Sequence, residues 1–328
     1  MQNTPKEWNR IDRIKSLVQR HNPQTVVPLG DDAFVFKNFP GLSVIAQDMM
    51  VEDVHFSLSY TTAADLGHKI LAVNLSDLAA MGATAHFGMV SLALPKELKS
   101  SSKNNDGTLT ETWLDEFYLA MTALADKFSV EIVGGDLCGS PKSVVVDLSA
   151  YGSCEKPLTR AGAKSGDLLL SSGPLGLSHT GLLALQKNMS ELFPESVLRH
   201  KRPMPRLDLV EHLQLHADKV HALMDCSDGL INDTLILTRG ELGFNVFGDR
   251  LPIHAETVEM ATSLNQSPLE LALWGGEDYQ LLMAIAPEDL PSFPGWHVVG
   301  QFTDSKDFYL LQGDLKAKIT SFKGWSHF

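Results

Sequence analysis

Carboxylates recur in this sequence where short apolar runs end. Asp48 follows the run LSVIAQ, Asp136 follows IVGG and Asp225 follows VHALM. Ligands of α/β folds bind at the carboxyl ends of strands, so we expect these side chains to face a site. Asp225 and Asp228 are three residues apart, so a helix starting there would carry both carboxylates on one side. Carboxylate oxygens are the ligands that Mg²⁺ prefers, which predicts a magnesium site.

Asp77 has a different setting. It falls inside AADLGHKILAVNLSDLAAMGA, residues 63–83, whose length and composition predict a largely buried helix closed by Gly82. Taken singly, an aspartate before a helix usually caps it, and Asp-Gly usually forms a turn. A cap does not belong in the middle of an apolar helix, and a lone carboxylate there is costly to desolvate. Asp77 therefore strengthens the metal interpretation.

The usual phosphate-binding signatures are absent from the sequence. It contains neither G-x-x-x-x-G-K-[ST] nor the loops of protein kinases, and its glycine pairs at 134–135 and 275–276 are weak signals alone. If a nucleotide binds, metal ions on aspartates must neutralise much of its phosphate charge.

Composition excludes several classes of partner. The 328 residues carry 40 acidic and 27 basic side chains, a formal charge of −13, which argues against nucleic acid or an anionic membrane. Three cysteines without a CxxC pair indicate a reducing compartment. No signal peptide and no apolar run long enough to span a bilayer are evident, so we expect a cytoplasmic protein.

Strand and helix patterns alternate along the whole chain, which predicts an α/β or α+β protein. Turn residues in EKPLTRAGAKSGD precede a new apolar strand, so we place a domain boundary near residue 155. The expected domains are residues 1–154 and 155–328.

Eight segments of the sequence, in order, closely resemble the thiamine-monophosphate kinase family of the aminoimidazole-ribonucleotide-synthetase-like ATP-binding superfamily. They are GDDAFVF (30–36), DMMVEDVHF (48–56), KILAVNLSDLAAMGA (69–83), GGD (134–136), PLTRAGAKSGD (157–167), MDCSDGLIND (224–233), GGEDYQLL (275–282) and KGWSHF (323–328).

The resemblance implies a homodimer in which the N-terminal domains form a β-barrel across the interface, while the C-terminal α/β domain completes the active site. It also implies transfer of the γ-phosphoryl group of ATP to thiamine monophosphate, direct and in-line, with several Mg²⁺ ions. No phosphoenzyme is implied, and no side chain is assigned as a catalytic group.

Site residues follow from the resemblance position by position. The implied metal ligands are Asp32, Gln47, Asp48, Asp77, Asp136, Asp225 and Asp228. The implied ATP contacts are Gly135, Asp136, Arg160 and Ser227. The implied substrate contacts are His55, Glu277, Phe322 and Trp325. His55 as a core histidine, Glu277 as a brace of its glycine turn and Trp325 as a packing residue are the structural alternatives.

Two positions depart from the family pattern. Gln47 stands where the family commonly has Ser or Thr, so a hydroxyl ligand is lost at this position. The backbone carbonyl there could still bind metal. Leu137 replaces the threonine that often follows GGD. Two alternatives stay open: another ATP-using enzyme of the superfamily, or a non-catalytic sensor of nucleotide or metal, for which these departures are the support.

Overall fold

The computed structural model describes residues 6–18, 22–95, 98, 109–320 and 323 of the chain. The chain divides into two compact units between Glu155 and Lys156, and the short segment Ala79–Gly82 belongs to the second unit. In the part of the chain that the structure describes, no helix is long and apolar enough to cross a membrane. The cytoplasmic location stays a prediction.

Within its described residues, the first unit combines three helices with two sheets. Its helices are α1 (Lys6–Leu17), α2 (Ala63–Ala80) and α3 (Leu109–Lys127). Its strands are β1 (Thr25–Val27), β2 (Val35–Phe36), β3 (Leu42–Val51), β4 (Thr84–Pro95), β5 (Glu131–Ser140) and β6 (Val145–Cys154). β1 and β2 pair with each other, and the larger sheet has the order β3-β6-β4-β5 with only β4 and β5 parallel.

The four-stranded sheet buries one face. Val146 and Leu148 of β6 are fully buried, whereas Asp147 between them is half-buried, as the two-residue period of a strand requires. On the opposite face Ile45 and Met49 of β3 are exposed. Among the described residues this sheet is open, so the barrel is not closed within one chain, and closure across a dimer stays a prediction.

Helix α2 has the position and the end that the sequence predicts. Gly82 has φ +66° and donates its N–H to Ala79, while Ala83 donates to Leu78, which satisfies carbonyl groups of the last turn. Gly67 lies where α2 meets α3, since a Cβ there would be 2.0 Å from the carbonyl oxygen of Phe117. Glycine is therefore required at this crossing.

The second unit is built on a seven-stranded sheet. Its strands are β7 (Leu168–Ser171), β8 (Val220–Asp225), β9 (Gly243–Phe247), β10 (Leu281–Ile285), β11 (His297–Thr303), β12 (Phe308–Gln312) and β13 (Leu315–Lys318). Their order is β13-β12-β9-β11-β7-β10-β8, antiparallel except for β12 beside β9. Its helices are α4 (Leu177–Gln186), α5 (Pro194–Lys201), α6 (Val210–Leu215), α7 (Leu230–Thr238), α8 (Ala255–Ser263) and α9 (Pro268–Trp274), with short 3₁₀ turns at Leu207–Leu209, Gly248–Arg250 and Pro287–Ser292.

Both faces of this sheet are buried. Leu281 and Leu282 are neighbours on β10, yet each belongs to a different apolar cluster. One cluster includes Leu273 of α9, and the other includes Leu213 of α6. Burial on both sides explains why β10 reads as a continuous apolar run rather than an alternating one.

Two expectations about the aspartates are wrong. Asp48 and Asp136 do not end their strands, because β3 and β5 pair with neighbouring strands well past them; only Asp225 stands at the end of its strand. Asp225 and Asp228 also share no helix face, because α7 begins at Leu230, after Gly229 turns the chain with φ +104°.

Candidate functional site

A pair of carboxylates marks the first unit. The side chains of Asp48 on β3 and Asp77 on α2 are within hydrogen-bond contact. Burial raises the pKa of Asp48, the bond with Asp77 lowers it, and the charge of Asp147 raises it. Two adjacent carboxylates must share a proton or a cation, and two hard oxygen donors suit Mg²⁺.

This pair is smaller than the ligand set that the resemblance implies. Within the described ranges no group of three or more His, Cys, Asp and Glu side chains is arranged to hold a metal ion. The geometry of the described residues thus supports an ion at the pair Asp48 and Asp77 alone, and the fuller ligand set stays a prediction.

Gln47 faces away from this pair. It adjoins Asp48 on β3, and successive strand side chains point to opposite faces. Its amide nitrogen donates to both carboxylate oxygens of Asp147, at 3.0 and 2.9 Å. Metal ligation at this position stays a prediction, and only the backbone carbonyl of Gln47 would then bind the ion.

A pocket of about 320 Å³ brings together predicted residues that are far apart in sequence. Asp32 lines one part of it, and Gly135 and Asp136 of β5 line another. Gly135 has φ +151°, and a Cβ on it would lie 1.7 Å from the carbonyl oxygen of Val90. Only glycine allows β5 to approach β4 here, which gives the GGD motif a structural reason.

Lys15 lines the same pocket and was not singled out from the sequence. It lies on α1 with Ile11 and Ile14, a spacing that places all three on one helix face. Its ammonium group is 3.7 Å from Asp12. The signal that could have found it is the helical spacing of Ile11, Ile14 and Lys15, because it places this cation on the apolar face that lines the pocket.

In the second unit two motif loops lie side by side. Cys226 donates its N–H to Gln280 at 2.7 Å, and Tyr279 donates to Cys226 at 2.9 Å. Glu277 then donates to Ser227 at 2.8 Å. The segments DCSDG and GGEDYQ therefore form one structure, which places the predicted nucleotide residue Ser227 beside the predicted substrate residue Glu277.

This double loop holds strained backbone. Glu277 and Tyr279 have φ +64° and +49°, a region that residues other than glycine seldom adopt. Such residues persist only when surrounding bonds hold them, and they concentrate at functional sites.

Asp225 and Asp228 lie at the start of the double loop. Asp225 is only 3% exposed, so it is more buried than an open cleft would leave it. Asp233 accepts the N–H of Asp228 at 3.1 Å. Burial, together with the charges of Asp225 and Asp228, raises the pKa of Asp233 to about 8. Asp233 thus fixes the turn between the two predicted metal ligands.

Arg160 is exposed on the segment that borders β8. Its neighbour Thr159 accepts the N–H of Leu223 at 2.8 Å, and a Cβ on Gly162 would be 2.4 Å from the carbonyl oxygen of His221. The segment therefore lies against the strand that ends at Asp225.

His55 is held in a tight turn after β3. Its Nδ1 accepts the N–H of Val51 at 3.1 Å, so the ring hydrogen is on Nε2. The predicted substrate residues Phe322 and Trp325 lie outside the described residues.

Family models match both units. Residues 30–154 match the model described as AIR synthase related protein, N-terminal domain, and residues 164–311 match AIR synthase related protein, C-terminal domain. The thiamine-monophosphate kinase of Aquifex aeolicus is 31% identical over 326 residues, 98% of both chains. The chain belongs to the thiamine-monophosphate kinase family. The Bacillus subtilis member is also 31% identical, over 98% of this chain and 99% of its own.

Solved structures of this kinase family have the same fold. The structure described as AaThiL complexed with AMPPCP and TMP aligns with a TM-score of 0.76 at 28% identity, over 98% of this chain and 97% of that one. The Stenotrophomonas maltophilia thiamine-monophosphate kinase aligns with a TM-score of 0.76 at 29% identity, over 92% and 95%. Escherichia coli HypE, a hydrogenase maturation protein, has a TM-score of 0.71 at 17% identity, a likeness of fold alone.

Proposed function

We propose that this protein transfers the γ-phosphoryl group of ATP to thiamine monophosphate. A phosphate oxygen of thiamine monophosphate attacks the γ-phosphorus, the bond from that phosphorus to the bridging oxygen breaks, and ADP leaves with thiamine diphosphate as product. An anionic phosphate attacks without a base, which agrees with the absence of an assigned catalytic side chain. The observation that carries the proposal is the single pocket that Asp32, Gly135 and Asp136 share, in a chain of this kinase family.

Asp48 and Asp77 would hold magnesium, because their paired oxygens fit a hard cation. Bound there, Mg²⁺ would supply positive charge at phosphate oxygens during the transfer. Further ions on Asp32, Asp136, Asp225 and Asp228 belong to the same proposal.

The remaining residues bind and orient the two substrates. Glycine at position 135 lets β5 pack against the carbonyl oxygen of Val90 in the pocket that would take the nucleotide, and the planar donors of Arg160 suit phosphate oxygens. His55 and Glu277 would contact thiamine monophosphate. Phe322 and Trp325 would add aromatic surface for its cationic ring.

A homodimer is part of the proposal. The exposed sheet face of the first unit carries Ile45, Met49 and Met89, which are large apolar side chains left in contact with water. An apolar face of this kind favours pairing with a second copy, and two open sheets that meet could close a barrel.

The test is incubation with ATP and Mg²⁺, with and without thiamine monophosphate, followed by chromatography of the products. We expect thiamine diphosphate and ADP in equal amounts, and only when Mg²⁺ is present. ATP binding without thiamine diphosphate would reject the kinase and favour the sensor. Omission of Mg²⁺ is the matched control for metal dependence.

A further inference from the structure

His200 is a buried histidine in contact with a predicted substrate residue. It lies on α5 and is 5% exposed. Its Nδ1 is 3.2 Å from Oε2 of Glu277 and 3.2 Å from Oγ of Ser178. Because a carboxylate only accepts, Nδ1 must carry the hydrogen for the contact with Glu277 to be a hydrogen bond. The Glu277 side chain remains 29% exposed, so the buried imidazole holds a carboxylate that solvent still reaches.

The backbone of Glu277 alone does not fix its carboxylate. The N–H of Glu277 is bonded to Ser227, and its φ of +64° is set by the double loop. The side chain beyond Cβ keeps several rotatable bonds, and ordering such a side chain costs conformational entropy when a ligand binds. A bond from His200 orders it beforehand, which lowers that cost.

The imidazole is itself held from two helices. A Cβ on Gly181 of α4 would be 2.0 Å from the carbonyl oxygen of Ser196, so α4 and α5 are in close contact. Ser178 lies in the first turn of α4, and the N–H groups of Gly176 and Ser178 are donated to Asp278. The residue after Glu277 therefore fixes the helix turn that carries Ser178.

We propose that His200 is a positioning residue that holds the Glu277 carboxylate ready to accept the cationic thiamine group of the substrate. The inference rests on the proposed function. His200 does not touch the reacting phosphates; it acts through Glu277 on binding of thiamine monophosphate and leaves ATP binding unchanged.

The experiment compares three variants by steady-state kinetics. His200→Leu removes the donor, and His200→Asn keeps an amide donor near the position of Nδ1. Thr180→Val is the matched control, because it also removes a buried hydrogen-bonding group. The hydroxyl of Thr180 on α4 bonds Gly176 and Thr257 but not Glu277. We expect the Leu variant to raise the KM for thiamine monophosphate about tenfold, equivalent to about 1.4 kcal/mol, with the KM for ATP changed less than about twofold. The Asn variant recovers most of the loss, and the control keeps both KM values.

Equal increases in both KM values, or wild-type values in His200→Leu, would overturn the positioning role. If His200→Leu does not fold, His200→Gln replaces it. Its amide reaches the position of Nε2, so this variant also lacks a donor at the position of Nδ1. If the wild-type protein makes no thiamine diphosphate, the proposed function fails by itself. The contact between His200 and Glu277 is then tested by the melting temperatures of His200→Leu, Glu277→Gln and the double variant. If the double variant lowers the melting temperature by less than the sum of the two single variants, the contact is supported; an additive decrease rejects it.

Discussion

The backbone N–H of Glu277 donates to the carbonyl oxygen of Ser227 at 2.8 Å. This bond joins a residue predicted to contact thiamine monophosphate to one predicted to contact ATP. A Cβ on Gly276 would lie 2.5 Å from the same carbonyl oxygen, so the two loops approach as closely as glycine permits. The arrangement joins the predicted contact residues of both substrates in one hydrogen-bonded structure of the second unit.

Gly135→Ala tests the close approach of β5 to β4 in the pocket that Asp32, Gly135 and Asp136 line. The new Cβ would overlap the carbonyl oxygen of Val90 at 1.7 Å, and φ +151° is unfavourable for alanine. We expect the free energy of unfolding to fall by more than about 2 kcal/mol, together with weaker ATP binding. Urea unfolding and calorimetric titration with ATP measure the two effects.

Gly139→Ala is the matched control on the same strand. No heavy atom lies within 4 Å of its Cβ position. We expect a change in unfolding free energy within about 0.5 kcal/mol and unchanged ATP affinity. Equal losses in both variants would mean that β5 tolerates no side chain here, and the specific role of Gly135 would be rejected.

Asp48→Asn and Gln47→Ala separate the two faces of β3. Asp48 contacts Asp77, whereas Gln47 donates to Asp147 on the other face. We expect Asp48→Asn to raise the Mg²⁺ concentration for half-maximal turnover at least about tenfold, and Gln47→Ala to change it less than about threefold. Magnesium titrations of initial rate give both values. A large effect of Gln47→Ala would show that its side chain serves the metal.

The sequence located helix α2 because local chemistry determines it. The apolar composition of residues 63–83 predicts its length, and Gly82 closes it after Ala80. Strand ends were harder to locate, since Met49 and Leu137 continue the apolar pattern and cross-strand pairing continues β3 and β5 beyond the aspartates.

The site was predicted less completely because its contacts are between distant segments. Asp32 and Asp136 meet in one pocket only through the pairing of β4 with β5 and the position of α1. Lys15 and His200 come from helices, and nothing in their local sequence distinguishes them from ordinary helix residues. Their neighbours are set by tertiary packing, which periodicity does not describe.

Ile45→Asp tests the homodimer. Ile45 is 71% exposed on the open sheet face. In a symmetric dimer each of the two copies would bury one carboxylate at this position. We expect the dissociation constant of the dimer to rise at least about 100-fold, about 2.8 kcal/mol. Light scattering after size exclusion, across a dilution series, measures it. Leu215→Asp is the control, since Leu215 is 75% exposed on α6 of the other unit, and it should leave the dimer intact. A monomeric wild-type protein would reject the proposal.

Asp278 predicts a pH dependence of stability. Burial raises its pKa to about 7, although the N–H groups of Ser178 and Gly176 and the charge of Arg199 lower it; the thiol of Cys226 also faces it. Between pH 4 and pH 7 the folded protein therefore keeps a proton that the unfolded chain has released. More protons bound in the folded state mean that the free energy of unfolding decreases as pH rises through this range.

Asp278→Asn removes this titration and leaves the other ionisable groups in place. We expect the stability of the wild type relative to the variant to decrease by at least about 1.4 kcal/mol, one pKa unit, between pH 4 and pH 8. Urea unfolding of both proteins at intervals of half a pH unit, with EDTA present, gives the difference directly. A difference that stays constant or increases with pH would show that Asp278 is already ionised in the folded protein at pH 4. Its bonds to α4 would then be those of a carboxylate throughout.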